Sequence, residues 1–494
     1  MIETGWVSIL PPLIAIALAL ITKEVYSSLF IGVLSGMVIY TLFAQESFVA
    51  IFAHIFDMMA EKLADNAYMI IFLALLWAVI TLVGKSGGMR AYGAWAERKL
   101  KSRKMTLLAT AFLGILIFID DGFNCLTIGT VMRPVYDRQK ISREKLAYII
   151  DATAAPVCIM APVSSWAVAV ASEVSDTNGF HAFLATIPYN LYAILTIVMV
   201  LFICVTGIDF GKMKKAEQEA LNVEDFSEAA ESKDESENRG KVYDLVMPIL
   251  ILIVFAILGM AYVGGYFSGV PFSEAIGYYP TAGLSLGAFA GLMMAFIMYI
   301  PRKIMKPKEF VEGIVEGIGK IVPPMLILIL SWSLGGVCRE MIGTGEFISK
   351  FVASANISFA FLPLLVFVIA ALMSFSMGTS WGTFGILIPI VSMICQATGG
   401  DGMLIPALGA TLAGSVYGDH CSPISDTTIL SSTGAMCNHI RHVETQIPYA
   451  TLVAAICAVG YLIIGLTNVA WAGLCTCVIL LLGILLLLNR RIEV

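Results

Sequence analysis

Four polar stretches interrupt an otherwise apolar sequence, and their residue types point to ion chemistry. FIDDGFN carries Asp120, Asp121 and Asn124, and GDHCSPISDTT carries Asp419, His420, Ser422, Ser425, Asp426, Thr427 and Thr428. DATAAPVCIMAPVSSW opens on Asp151 and Thr153 and closes on Ser164 and Ser165, while SMGTSWGTF supplies Thr379, Ser380 and Thr383. Carboxylates, hydroxyls and carbonyls together make an all-oxygen environment, which hard cations prefer. Sodium is the natural candidate, with Asp121, Asn124, Thr379 and Asp426 as its expected ligands. Desolvation and neighbouring carboxylates favour the neutral acid, and a bound cation favours the anion. One carboxylate can therefore hold a proton or a cation. Asp120, Asp121, Asp151, Asp419 and Asp426 are the candidates for that exchange, titrating as a set, and the other residues named are candidate ion or substrate contacts. Each also has a plainer role open to it: Asp120 can cap a helix at a turn, Asp151 can start one, and the hydroxyls can bond back to helix carbonyls.

The elements that must position these groups are membrane helices. The 494 residues are 59% hydrophobic and 13% charged, against about 25% charge in soluble domains. Runs such as Leu13–Ile21, Met69–Val83, Leu245–Ala256 and Val478–Leu488 are too apolar for a soluble core. The start, MIETGWVSIL, lacks a basic n-region and reads as a retained helix. The net charge of −6 is concentrated in Ala216–Arg239, where nine acidic residues face two basic ones. That segment reads as a solvated linker, and the near-neutral remainder gives no reason to expect nucleic acid as a partner. The ten cysteines show no disulfide spacing. Cys437-x-His439-x-x-His442 lacks a second ligand pair and reads as a loop without zinc.

The halves repeat. Leu29-x-x-Gly32-x-x-x-Gly36 recurs as Leu284-x-x-Gly287-x-x-x-Gly291, and Trp77 and Pro134 recur as Trp332 and Pro389, all at an offset of 255. Ala152-Thr153 recurs as Ala410-Thr411 and Ile187-Pro188-Tyr189 as Ile447-Pro448-Tyr449, at 258 and 260. The glycines read as helix-packing faces. Basic loops set orientation. Lys85–Lys104 carries seven Lys/Arg and Arg133–Lys145 five, so both are expected inside, and the chain between them must enter and leave on one side. In the second half, PRKIMKPK and NHIRH play this part, which inverts the second repeat.

The expected architecture is an all-α polytopic membrane protein of two inverted-topology repeats, each with a re-entrant helical hairpin and an interrupted transmembrane helix, about eleven spanning helices plus two hairpins. The first repeat covers 1–207 (hairpin about 105–135, broken helix about 146–172), the acidic linker 208–242, and the second repeat 243–468 (hairpin about 358–396, broken helix about 404–433), with an extra helix at 469–494. The amino terminus is expected outside and the carboxyl terminus in the cytoplasm of a cell-membrane protein. Pro162 precedes Ser164-Ser165 and Pro423 precedes Ser425. An interior proline frees carbonyls one turn earlier, which transporters use to build midplane sites.

FIDDGFNCLTIGTVMRPVYDRQKISREKLAYIIDATAAPVCIMAPVSSWA and SVYGDHCSPISDTTILSSTGAMCNHIRHVETQIPYA resemble the signature blocks of the NhaC-type sodium/proton antiporter family, within the ion-transporter superfamily. The resemblance implies sodium-linked exchange at the hairpin tips and broken helices, with an elevator-like motion and a homodimer. It leaves the substrate open, because such families also include exchangers of small organic acids (malate and lactate) and of amino acids. The leading expectation is therefore Na+/H+ antiport by alternating access across the lipid bilayer. The alternative is a Na+- or H+-coupled exchanger of an organic acid or amino acid, with His420, Trp166 and Trp381 serving recognition. No cofactor and no enzymatic activity are expected. Asp419, His420 and Ser422 stand too close in sequence to make a hydrolytic triad, and broken helices favour alternating access over a channel.

Overall fold

The computed structural model describes residues 2, 4–22, 24–174, 179–222, 240–344, 346–347, 350, 359–397 and 401–492. Every regular element among them is helical, as apolar segments in lipid require, since a helix satisfies its own backbone. Nine helices among the described residues are long and apolar enough to cross a membrane, Val25–Ala44, Ala67–Lys85 and His439–Thr467 among them. The nine include Phe359–Met377, the first arm of the expected second hairpin, and leave out three of the expected eleven spans, which are short or interrupted. Leu10–Thr22 has 13 residues, and the first broken helix is cut into Arg143–Thr153, Ala155–Cys158 and Ser165–Glu173, of 11, 4 and 9 residues.

Helix bounds recur between the halves. Val25–Ala44 and Pro280–Tyr299 both have 20 residues and both start and end 255 residues apart. The helix–turn–helix pair Arg103–Leu116 and Asp121–Arg138 is matched by Leu362–Met377 and Ser380–Ala397. The two second arms each run 18 residues at a spacing of 259. Pro134 and Pro389, aligned at 255 by sequence, thus fall about one turn apart along the arms. Arg103–Leu116 has 14 residues, about 21 Å at 1.5 Å per residue, which falls short of the roughly 30 Å hydrocarbon core.

The glycine faces pack as expected. A Cβ on Gly287 would stand 2.6 Å from Ala256 Cα, and one on Gly36 would stand 2.5 Å from Val337. The expected linker opens on a helix, Gly211–Asn222, while residues 223–239 and the expected start of the second hairpin at 358 lie outside the described residues. Lys145, 2% exposed, binds Asp209 at 2.7 Å and reaches Glu217 at 3.7 Å. Glu217 also accepts from Arg103 and from Ser142, the cap of Arg143–Thr153. Arg441 joins the same helix to the second half through Glu219 at 2.7 Å.

Candidate ion-coupling site

Helix ends build the site. Asp120 caps the second arm of the first hairpin, one carboxylate oxygen accepting from the backbone N–H of Phe123 at 2.9 Å and the other from Ser165 Oγ at 3.3 Å. The Ser165 N–H donates to the Ile119 carbonyl at 3.0 Å, so tip and helix break are stitched together. Ser164 caps Ser165–Glu173 and Ser425 caps Asp426–Ala435, 261 residues on. The proline-then-serine order read from the sequence is a capping motif in both halves. At the second hairpin the role is transferred. Asp419, from the broken helix Asp401–Cys421, accepts from the N–H and Oγ of Ser380 at 3.3 and 2.8 Å. A carboxylate at a helix N-terminus is stabilised by the helix dipole.

Asn124 holds the first tip closed. Its Nδ2 donates to the carbonyls of Gly114, Ile117 and Thr153 at 2.7, 2.9 and 3.3 Å. Asp151 sits at a second node, accepting from Thr428 Oγ1 at 3.2 Å and Gln446 Nε2 at 2.7 Å, with the Nε2 atoms of His442 and His420 at 3.4 and 3.8 Å. His420 Nδ1 meets the Tyr192 hydroxyl at 2.8 Å. All five aspartates interact electrostatically: Asp426 acts on Asp120, Asp121 and Asp419, Asp419 acts on Asp121, and Asp151 acts on Asp419 and Asp426. Asp120, Asp121, Asp151 and Asp419 are at most 9% exposed, whereas Asp426 stays open at the surface.

Several predicted residues are occupied by the fold itself. Thr153 Oγ1 bonds back to the Ile149 carbonyl, Thr383 Oγ1 to that of Thr379, and Ser422 Oγ to that of Phe375. Thr379 receives the Gly382 N–H, and Thr427 pairs with Ser425. Of the four expected sodium ligands, Asp121 and Asp426 each hold a neighbouring backbone N–H on Oδ1, from Gly122 and Thr427. In this region, the buried side-chain atoms without a hydrogen-bond partner among the described residues include Asn124 Oδ1, Asp419 Oδ1 and Gln446 Oε1, beside His420 Nε2 and His442 Nδ1. No group of three or more His, Cys, Asp or Glu among the described residues closes around a metal point.

The reading of His442 as part of a loop is corrected. Asn438 caps a helix that starts at His439, which turns His442 inward to 0% exposure against Asp151. Tyr192 was missed because it stands in an apolar helical run, and Gln446 because it ends the polar stretch NHIRHVETQ, which reads as a loop. Spacing could have found Gln446, one turn after His442 on the same face. Trp166 and Trp381 meet at 6.0 Å between ring centroids, with Phe384 beside both.

Many apolar helices gathered about interrupted helices and converging carboxylates define a secondary transporter of the membrane, not an enzyme. The fold is shared with the YdaH transporter of Alcanivorax borkumensis, at a TM-score of 0.55 and 12% identity over 84% of this chain and 88% of that one. The chain belongs to the Na+/H+ antiporter family, whose model matches residues 167–466. An uncharacterized protein of Haemophilus influenzae is 37% identical over 98% of this chain and 95% of that one. The Bacillus subtilis malate-2H(+)/Na(+)-lactate antiporter is 30% identical over 37% of this chain and 38% of that one. An arginine/ornithine antiporter of Halobacterium salinarum is 35% identical over 31% of this chain and 30% of that one.

Proposed function

We propose that this transporter exchanges Na+ for H+, with the proton and the sodium ion competing for the cluster of Asp120, Asp121, Asp419 and Asp426. The observation that carries the reading is a pair of buried acceptor oxygens without a hydrogen-bond partner among the described residues, Asn124 Oδ1 and Asp419 Oδ1, within mutually repelling carboxylates. A buried, unpaired acceptor is costly, and a cation or a proton removes that cost. Charge also separates the candidate cargoes. The helix N-termini that would attract an anion already carry acidic groups, Asp120 and Asp121 on one and Asp419 on another. A cation therefore fits better than a carboxylic acid, and the relatives named for malate, lactate and arginine mark the alternative: a coupled exchanger of an organic acid or amino acid. Trp166 and Trp381, which meet edge to face, favour that second reading, since a bare ion has no use for paired rings. Asp151, hydrogen-bonded by Thr428 and Gln446 and flanked by His420 and His442, serves as the proton-handling neighbour.

The protein acts in the cell membrane as two inverted repeats with re-entrant hairpins, the amino terminus outside and the carboxyl terminus in the cytoplasm. Reconstitution into liposomes with a trapped pH dye tests the reading. Sodium, and lithium to a lesser degree, should drive proton movement while potassium does not. Sodium-driven uptake of a carboxylic acid or amino acid without proton movement would replace it with the alternative.

A further inference from the structure

Glu173 ends the helix Ser165–Glu173, is 1% exposed, and belongs to none of the contacts described so far. Its Oε2 lies 2.9 Å from Ser331 Oγ, and its Oε1 has no hydrogen-bond partner among the described residues. Ser331 Oγ also bonds the carbonyl of Gly385. That carbonyl has lost its ordinary helical donor, because the residue four positions on is Pro389, inside Ser380–Ala397, and proline carries no N–H. Gly385 itself permits the close approach, since a Cβ there would stand 3.2 Å from Ser331 Oγ.

A hydroxyl has one hydrogen, and a carbonyl can only accept. The Ser331 hydrogen therefore goes to Gly385, and the contact with Glu173 needs a hydrogen that the carboxyl itself carries. Arg339 acts on Glu173 electrostatically but makes no ion pair with it among the described residues, and its own Nη1 is unpartnered. The other groups on the seam are neutral: Ser331, Gly385, and Trp332, whose Nε1 donates to Ser172 Oγ at 3.3 Å.

We infer that Glu173 is a second proton-binding site, separate from the aspartate cluster, on the seam between Ser165–Glu173 and the segment Val322–Met341. The bound proton bridges Glu173 Oε2 to Ser331 Oγ, and parting the seam removes the acceptor that holds it. Its use as a proton delivered during exchange rests on the antiport reading, whereas its occupancy rests on the hydrogen-bond geometry alone.

Infrared difference spectroscopy on the purified full chain at neutral pH separates the two. Wild type should show a carboxylic-acid carbonyl band that Glu173→Gln lacks and that Ser331→Ala shifts. An identical band in wild type and Glu173→Gln overturns the site. Where Glu173→Gln does not fold, the Ser331→Ala spectrum decides, and an unshifted band overturns it. In liposomes, Glu173→Gln should keep isotopic sodium counterflow while moving fewer protons per sodium; an unchanged proton count overturns its use. A wild type without sodium-driven proton movement would sink the antiport reading, and the infrared band would still judge the site.

Discussion

At the residue scale, Asp419 and Asn124 divide two kinds of work. Asp419 binds the Ser380 N-terminus through one oxygen, and its other oxygen has no hydrogen-bond partner within 3.5 Å among the described residues. Asp419→Asn keeps the shape and removes the charge, so sodium-driven proton flux should fall at least tenfold, with the size-exclusion profile unchanged. Asp426→Asn, at the open edge, should do the same; full flux in both variants would remove the pair from the site. Asn124 instead holds three backbone carbonyls with its amide nitrogen. Asn124→Leu strips those carbonyls of a donor and should cost about 2–3 kcal/mol, visible as a lowered unfolding temperature in detergent. All five aspartates were legible because a carboxylate in an apolar run stands out. Glu173 was not, since it closes an apolar stretch beside the polar SDTN and reads as a helix end.

At the element scale, the hairpins depend on close backbone approach. Gly378 turns the second tip at φ +67°, and a Cβ there would stand 2.6 Å from the Ile424 carbonyl oxygen. Gly378→Val combines strain of about 1–3 kcal/mol with that clash. Flux should be lost and the tip should become sensitive to protease, whereas Gly207→Ala, with nothing within 4 Å, should show the strain alone. Gly129 lies so close to Gly434 that a Cβ would stand 2.7 Å from its Cα, joining the first hairpin to the second broken helix. The breaks were readable from proline and serine. This cross-pairing was not, because no local spacing records which half a helix packs against.

At the scale of the whole molecule, the helix Gly211–Asn222 ties the halves through Lys145, Arg103, Ser142 and Arg441. Burial pushes the Asp209 carboxyl up, and Lys145 beside it offsets only part of that shift. Lys145→Met would leave Asp209 and Glu217 without their buried cation and should cost about 3–5 kcal/mol, read as thermal instability of the purified chain. The repeat and the helical class were legible from offsets and apolar runs, since both are written along the chain. The partners of Asp151 were not, because they come from far away: Thr428 is 277 residues on and Gln446 is 295. That separation has a consequence for biosynthesis. At about 5–20 residues per second, Asp151 emerges tens of seconds before anything can bond to it. The nascent first half must therefore keep a wet, open crevice around it for that time, and the crevice can close only once Thr428 and Gln446 arrive.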